Sequence, residues 1–137
     1  MKYQKLKGTK DYFGDDYERL NLTTTKLITL ATSFAYERIR FPLLEEEAVF
    51  SRAIGLGTDI VNKEMYKIID KKNRTLVLRP EGTASSIRLV VENKLLTKNL
   101  TNKYFYIENM YRYERPQRGR YREFIQFGVE QLGDNDA

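Results

Sequence analysis

"KYFYIENMYRYERPQRGRYREFIQFGVEQLG" (residues 103–133) predicts a long β-hairpin. Aromatic and β-branched residues are abundant in its two outer parts, residues 103–114 and 121–133, and such residues favour strands. The central "RPQRGR" (residues 115–120) places a proline and a glycine among charged side chains, which is typical of a loop. The segment is therefore expected to form two strands joined by a charged loop.

Alternation along the two strands divides the side chains of the hairpin between two faces. Successive residues of a strand point to opposite faces, so Arg112 and Glu114 share one face and Tyr111 and Tyr113 share the other. On the returning strand, one face is expected to carry Phe124, Gln126, Gly128 and Glu130, and the opposite, core-like face Ile125, Phe127 and Val129. One face thus combines an arginine, carboxylates, an aromatic ring, an amide and a gap at a glycine.

This polar face suits an adenine nucleotide together with a cationic small molecule. Phe124 can stack on a base, and Arg112 can neutralise a phosphate through a forked geometry that lysine lacks. Glu130 and Gln126 can hold an ammonium or N–H group. A solvated hairpin with cross-strand ion pairs, each contributing roughly 0–1 kcal/mol, accounts for the same spacing about equally well, so both interpretations stay open.

A second group of polar residues lies in "LRPEGTASSIR" (residues 78–88), where a strand is expected to end at Pro80 and a helix to begin. A carboxylate at Glu81 would complement the helix dipole, a contribution of roughly 0.3–1 kcal/mol. Alternatively, Glu81 and Thr83 could reach over the sheet and bind a ligand ammonium. Taken alone, the motif favours the first, structural interpretation.

The first third of the chain predicts one long helix after an irregular segment at residues 1–14. Asp15 or Asp16 can cap this helix, which is expected to run to about Ile39 and to end before Pro42. Its expected apolar stripe consists of Leu20, Leu27, Leu30, Ala31 and Phe34.

The middle of the chain predicts short strands and a further helix. "FPLLEEEAVF" (residues 41–50) indicates an extended segment followed by a turn of helix, and "EMYKIIDKKNRTLVLRP" (residues 64–80) indicates a second hairpin around the polar turn "KKNR". A helix from Glu81 to about Leu96 is expected to bury Ala84, Ile87, Leu89, Val90 and Val91. Helices mixed with hairpins predict an α+β fold with a mainly antiparallel sheet.

Composition limits the chemistry that these elements can carry. The 137 residues are enough for one domain, and they include no cysteine and no histidine, which excludes Cys-based and His-based nucleophile pairs and disfavours transition-metal sites. Residues 1–70 carry equal numbers of acidic and basic side chains, so the net charge of +5 comes from residues 71–137. A basic surface of this kind suits an anionic partner. No long apolar run or signal-peptide pattern is present, so a cytoplasmic protein without membrane contact is expected.

Three stretches together resemble the class II aminoacyl-tRNA synthetases and, within them, the histidyl-tRNA synthetase family. They are "KGTKDYF" (7–13), "LRPEGTAS" (78–85) and "MYRYERPQRGRYREFIQFGVEQLG" (110–133), of which the last is similar to the second class II motif. The predicted first helix and "RFPLLEEEAVF" (40–50) resemble the first motif, whose proline, here Pro42, lies at a dimer interface in the family. The resemblance implies that residues 1–137 are the N-terminal part of the catalytic domain of a homodimeric enzyme.

The resemblance also implies the reaction and its residues. ATP would activate L-histidine to histidyl-adenylate before transfer to tRNA(His), with Mg²⁺ accompanying the ATP and no metal ligand assigned among these residues. Arg112 is the implied catalytic residue, because it would stabilise charge on the α-phosphate. The implied ATP-binding residues are Arg112, Glu114, Arg120 and Phe124; the histidine-binding residues are Glu81, Gly82, Thr83, Arg112, Gln126 and Glu130; and Arg115 and Gln117 would contact the tRNA.

Two other functions fit parts of the sequence. A histidyl-synthetase-like regulatory subunit of histidine biosynthesis would bind histidine without charging tRNA, but such proteins usually lack the complete Arg-x-Glu-Arg-Pro-Gln loop that this chain has. A basic RNA-binding module could use the arginine-rich loop as a phosphate clamp. That function leaves Glu81, Gln126 and Glu130 without a role.

The third class II motif and the anticodon-binding domain have no counterpart in the 137 residues, which suggests a fragment of the enzyme. We therefore expect this polypeptide alone to show no histidine-dependent exchange of pyrophosphate into ATP, because part of the ATP site is missing. Robust histidine-dependent exchange by the isolated chain would overturn this expectation.

Overall fold

The computed structural model describes residues 3–55, 57–96 and 101–133 and shows an α+β fold. Its strands form two three-stranded sheets, with the orders β1-β5-β6 and β2-β4-β3. Strand β1 runs parallel to β5, and the other pairs are antiparallel. The elements are α1 (Gly14–Ser33), β1 (Glu37–Arg38), β2 (Leu44–Glu46), α2 (Glu47–Ile54), a π-helical turn (Ile60–Glu64), β3 (Lys67–Ile69), β4 (Thr75–Leu78), α3 (Thr83–Glu92), β5 (Asn102–Tyr111) and β6 (Glu123–Leu132).

The long hairpin predicted from residues 103–133 is confirmed. Strands β5 and β6 pair over ten residues each, from Asn102 opposite Leu132 to Tyr111 opposite Glu123. The register places Phe124, Gln126, Gly128 and Glu130 on one face, opposite Met110, Glu108, Tyr106 and Tyr104. The predicted strands extended a few residues further toward the loop than the observed ones, whose pairing ends at Tyr111 and Glu123.

The prediction that the Ile125 face of the hairpin meets the core holds only in part, because both faces carry buried side chains. Buried Tyr104, Tyr106 and Met110 lie on the Phe124 face and pack with Ile39, Phe41 and Val90 into one hydrophobic cluster. On the opposite face Val129 is 48% exposed, and Ile125 and Phe127 are only partly buried. Phe105 of β5, which is fully buried, also lies on this opposite face, and its ring contacts that of Phe127.

Helix α1 differs from its predicted form at both ends. It begins at Gly14 after Phe13, with no side-chain cap from Asp15 or Asp16, and it ends at Ser33 rather than near Ile39. Ala35 has a φ of 61°, a left-handed conformation that ends the helix well before Pro42. Of the predicted stripe, Ala31 is buried and Leu20 and Leu27 are partly buried, whereas Leu30 and Phe34 are exposed.

The second hairpin and the strand–helix unit before it are confirmed. Strands β3 and β4 pair around the "KKNR" turn, in which the Asp70 carboxylate accepts backbone N–H bonds from Lys72 and Arg74.

Helix α3 ends at Glu92, four residues before the predicted Leu96, and its buried residues are Ala84, Ser85, Ser86 and Val90. Val91 and Ile87, which were expected to be buried, are exposed.

A buried arginine connects the two sheets. Arg79 follows β4, is 4% exposed, and donates to the Glu108 carboxylate on β5 at 2.7 Å. The same guanidinium donates to the carbonyl oxygens of Asn109 and Phe41 at 2.8 and 2.6 Å. The backbone N–H of Tyr111 in turn donates to the Arg79 carbonyl. The end of β4 is thereby fixed against β5.

Removing this guanidinium is expected to destabilise the fold strongly. Among the described residues, Arg79→Met leaves the Glu108 carboxylate, which is 8% exposed, with the solvent-exposed Arg40 at 3.3 Å as its remaining ion-pair partner. Breaking a buried pair from one side costs about 3–5 kcal/mol of unfolding free energy, measurable by urea denaturation. Arg74→Met, which breaks an exposed pair with Asp70, should change little. Equal losses in the two variants would contradict the central role of Arg79.

Candidate functional site

Arg112 lies just after β5 and is held in place by two neighbours. Its Nε donates to the carbonyl oxygen of Pro80 at 2.8 Å, and its guanidinium carbon lies 5.2 Å from the centre of the Phe124 ring. Phe124 itself packs against the hydrophobic cluster. The arginine head is therefore positioned by a backbone carbonyl and a fixed ring, which leaves its terminal nitrogens available for an anion.

Glu114 lies between two arginines. Its Oε1 is 3.9 Å from an Arg112 terminal nitrogen, and its Oε2 is 3.8 Å from Arg120. These distances exceed hydrogen-bonding range, and Oε2 is a buried atom without a hydrogen-bond partner in the described part of the chain. Arg112, Glu114 and Arg120 are thus brought together, Arg112 also contacts the Phe124 ring, and one carboxylate oxygen of Glu114 is still able to accept a hydrogen bond.

The loop beyond these residues is largely exposed. Gln117 and Arg120 exchange backbone hydrogen bonds, which closes a tight turn around Gly119. Arg115, Gln117 and Arg120 all extend into solvent. At the base of the loop, the Gly8 carbonyl accepts the N–H groups of Arg122 and Glu123, so the "KGTKDYF" segment lies against the hairpin.

Glu81 caps helix α3 from outside its first turn. Its carboxylate oxygens accept the backbone N–H groups of Thr83 at 2.6 Å and of Ala84 at 2.9 Å. These bonds satisfy donors that a helix N-terminus leaves unpaired. The structural interpretation, in which the Glu81 carboxylate stabilises the N-terminus of the helix, therefore agrees with the structure. It does not preclude ligand binding, since each carboxylate oxygen can accept more than one hydrogen bond.

Tyr106 is the central residue that sequence reasoning missed. Its ring is 1% exposed and lies in a slot between Gly82, which precedes α3, and Gly128 on β6. A Cβ atom built on either glycine would overlap the Tyr106 ring. The gap at Gly128, interpreted from the sequence as part of a ligand-binding face, is thus filled by a side chain of the protein itself.

The Tyr106 hydroxyl lies among the residues predicted to bind histidine. Its oxygen lies 3.4 Å from Glu130 Oε1. Burial raises the pKa of Tyr106 to about 12; a hydrogen bond from Thr83 lowers that pKa, and the charges of Glu130 and Glu81 raise it further. Glu81, Gly82, Thr83 and Glu130 therefore surround one phenol. The glycines at positions 82 and 128 are the sequence signal that a large side chain packs against the backbone at both positions.

Gln126 lies on the same face, opposite Glu108 in the register. Its side-chain oxygen is buried and has no hydrogen-bond partner among the described residues. A buried amide oxygen without a partner costs free energy unless a donor reaches it. This geometry suits a bound N–H donor.

Clefts also lie in other parts of the described structure, and one of about 600 Å³ lies between α2 and α3. A cleft of about 360 Å³ lies between α1 and the back of the hairpin, and its walls are mainly apolar. Within residues 3–55, 57–96 and 101–133, no cluster of three or more acidic side chains could hold a metal ion. None of the described helices is long and apolar enough to cross a membrane.

Comparison with known proteins identifies relatives of this arrangement. The family model described as histidyl-tRNA synthetase matches residues 8–137. A histidine–tRNA ligase of Mycoplasma mycoides subsp. mycoides is 53% identical over 133 residues, which cover 96% of this chain and 32% of that protein. The chain thus spans about a third of the length of the curated relatives it matches.

Solved structures show the same fold. The apo S. aureus histidyl-tRNA synthetase is 32% identical with a TM-score of 0.75, covering 93% of this chain and 32% of that one. A Bacillus halodurans protein described as an ATP phosphoribosyltransferase regulatory subunit/histidyl-tRNA synthetase is 28% identical with a TM-score of 0.79, covering 98% and 34%. With a family model that matches nearly its whole length, this chain belongs to the histidyl-tRNA synthetase family.

Proposed function

We propose that this chain supplies histidine- and ATP-binding residues of a histidine–tRNA ligase. The observation that carries the proposal is the 2.8 Å hydrogen bond from Arg112 to the Pro80 carbonyl. Because Glu81 follows Pro80 directly, this bond joins the proposed ATP arginine to the proposed histidine-binding carboxylate. Family membership supports the class of reaction. The chain covers a third of its relatives, so the activity of the whole protein is part of the proposal.

The proposed first step needs no protein nucleophile. The histidine carboxylate attacks the α-phosphorus of ATP, the bond to the β-phosphate oxygen breaks, and histidyl-adenylate and pyrophosphate form. Arg112 would neutralise charge that develops on the α-phosphate, a role for a fixed, forked guanidinium. In the second step a tRNA(His) hydroxyl replaces AMP. Mg²⁺ would arrive with ATP, and it would add positive charge at the phosphates.

Adenine would bind beside Arg112. Phe124 offers a ring on which the base can stack, Glu114 Oε2 can accept from the adenine amino group, and Arg120 can swing from its exposed position to the outer phosphates. Glu81, Thr83 and Gln126 would receive the α-ammonium of histidine, and Glu130 an imidazole N–H. Each of these protein groups has an acceptor atom of the kind that such donors require.

Further partners belong to the same proposal. Arg115 and Gln117 extend from the exposed loop, where they can contact the acceptor end of tRNA(His). The exposed apolar residues Leu22, Leu30 and Phe34 of the α1 region support a homodimer through the first motif. Action in the cytoplasm follows from the proposed role in protein synthesis.

A regulatory function is the second candidate. It is favoured by the Bacillus halodurans structure, whose description includes both a regulatory subunit and a synthetase. A regulatory protein would bind histidine without forming an adenylate. Binding of ATP at Arg112 therefore separates the two candidates.

Arg112→Ala is expected to weaken ATP binding to this chain by at least about tenfold, because a charge-assisted, forked contact to a phosphate is lost. Isothermal titration calorimetry with ATP and Mg²⁺ measures the loss. Arg112→Lys should recover only part of the affinity, since lysine keeps the charge without the fork.

Arg118→Ala is the matched control for that titration, because Arg118 is an exposed arginine in the same loop. Its affinity for ATP should stay close to that of the unsubstituted chain. Equal weakening by both alanine variants would indicate diffuse attraction of a basic loop for anions and would support an RNA-binding module. Histidine binding without any ATP binding would support the regulatory candidate.

A further inference from the structure

Arg122 directly precedes β6, and its backbone links the N-terminal segment to the proposed ATP site. The Arg122 N–H donates to the Gly8 carbonyl at 2.7 Å, and the Arg122 carbonyl accepts the N–H of Arg112 at 3.0 Å. Two consecutive backbone hydrogen bonds therefore connect Gly8 with the arginine proposed to bind ATP.

The Arg122 side chain crosses the base of the charged loop. Its Nε donates to the Glu114 carbonyl at 3.1 Å, and its guanidinium carbon lies 4.4 Å from the centre of the Tyr113 ring. The Tyr113 backbone is itself held, because its N–H donates to the Glu64 carbonyl at 2.6 Å. The guanidinium thus lies on an anchored ring and holds the residue that follows it, Glu114.

The Glu114 carboxylate depends on its backbone for its position. The Glu114 N–H donates to the Arg112 carbonyl at 2.8 Å, so both backbone polar groups of Glu114 are paired. The distances from the carboxylate to Arg112 and Arg120, 3.9 and 3.8 Å, are too long for hydrogen bonds. A carboxylate held in this way keeps an oxygen for a ligand, but it moves whenever its backbone moves.

We propose that Arg122 is a positioning residue, which holds the Glu114 backbone so that the carboxylate selects a nucleotide base with an exocyclic amino group. For the identity of that base, adenine, the inference rests on the proposed function. A purine without the amino group would leave the buried Oε2 of Glu114 unpaired, and an unpaired buried acceptor costs free energy.

Gly8 leaves the room that the Arg122 side chain needs. Its φ of +91° favours glycine, and a Cβ atom at this position would lie 2.9 Å from Arg122 Cγ and 3.0 Å from Pro116 Cγ. A larger residue at position 8 would therefore press on the stem that carries the Arg122 Nε. The "KGTKDYF" segment thereby influences the position of Glu114 without contacting the base.

Arg122→Lys tests the inference, since lysine keeps the positive charge and removes the Nε donor. Binding of ATP and of purine riboside triphosphate, which lacks only the exocyclic amino group, is compared by calorimetry in the presence of Mg²⁺. We expect the preference for ATP to fall about tenfold in Arg122→Lys, because the Glu114 carboxylate is no longer held at the amino group. An equal loss of affinity for both nucleotides, or an unchanged preference, would overturn the proposal.

Gly8→Ala should lower the same preference while Arg122 itself is kept. Gly14→Ala is the matched control, because Gly14 also has a positive φ, of 52°, yet a Cβ atom there meets nothing within 4 Å in the described part of the chain. Both variants carry backbone strain, and only Gly8→Ala presses on Arg122. An equal fall in the preference for ATP in Gly14→Ala would contradict the proposal.

A measurement without nucleotide separates this inference from the proposed function. In the ¹⁵N-labelled chain, the Arg122 Nε–H should exchange slowly with water, and its resonance should shift in Tyr113→Leu because the ring is lost. If both are observed but ATP does not bind, the contact with Glu114 stands, and the proposed function fails together with the selection of adenine. If ATP binds but Arg122→Lys leaves the preference for ATP unchanged, the proposed function stands and the positioning by Arg122 is refuted.

Discussion

The rest of the structure depends on the hydrogen bonds that the Arg79 guanidinium donates. The guanidinium is buried, and it donates to a carboxylate and a backbone carbonyl on β5 and to the carbonyl of Phe41, which precedes β2. The two sheets share no strand, so this arginine fixes the end of β4 against β5. Pro80 and Glu81 directly follow Arg79 in the sequence. The carbonyl that holds Arg112 and the carboxylate that caps α3 are therefore positioned by the same buried contact.

The proposed site lies on the sheet face that also carries much of the core. This placement has a physical advantage, because Phe124, Tyr106 and their neighbours are packed before any ligand arrives. Preorganised donors and acceptors need little rearrangement when charge develops. The cost is a set of buried polar atoms, among them oxygens of Gln126 and Glu114, that find no hydrogen bond within the described residues. Unpaired polar atoms in a packed wall are reasonable where a ligand supplies the partner.

The hairpin, its loop and the shared face of Phe124, Gln126, Gly128 and Glu130 could be predicted because strand alternation is a local property. The part of the core on that same face could not be predicted, since tyrosine suits both water and the interior, and only the register showed that Tyr104 and Tyr106 share the face of the polar residues. The role of Arg79 could not be predicted either, because nothing in its local sequence shows that acceptors from other parts of the chain will surround its guanidinium. The end of α1 was missed because Ala35 adopts a left-handed conformation that its residue type does not favour.

The most direct test of the account is an NMR titration of the ¹⁵N-labelled chain with L-histidine and a non-hydrolysable ATP analogue. The account predicts that histidine shifts the amides of Thr83, Gln126 and Glu130, that the nucleotide shifts those of Arg112 and Phe124, and that L-alanine, which has the α-ammonium but no imidazole, leaves the amide of Glu130 unshifted. Shifts confined to the cleft between α1 and the back of the hairpin, or equal responses to alanine and histidine, would contradict the assignment of this face as the ligand site.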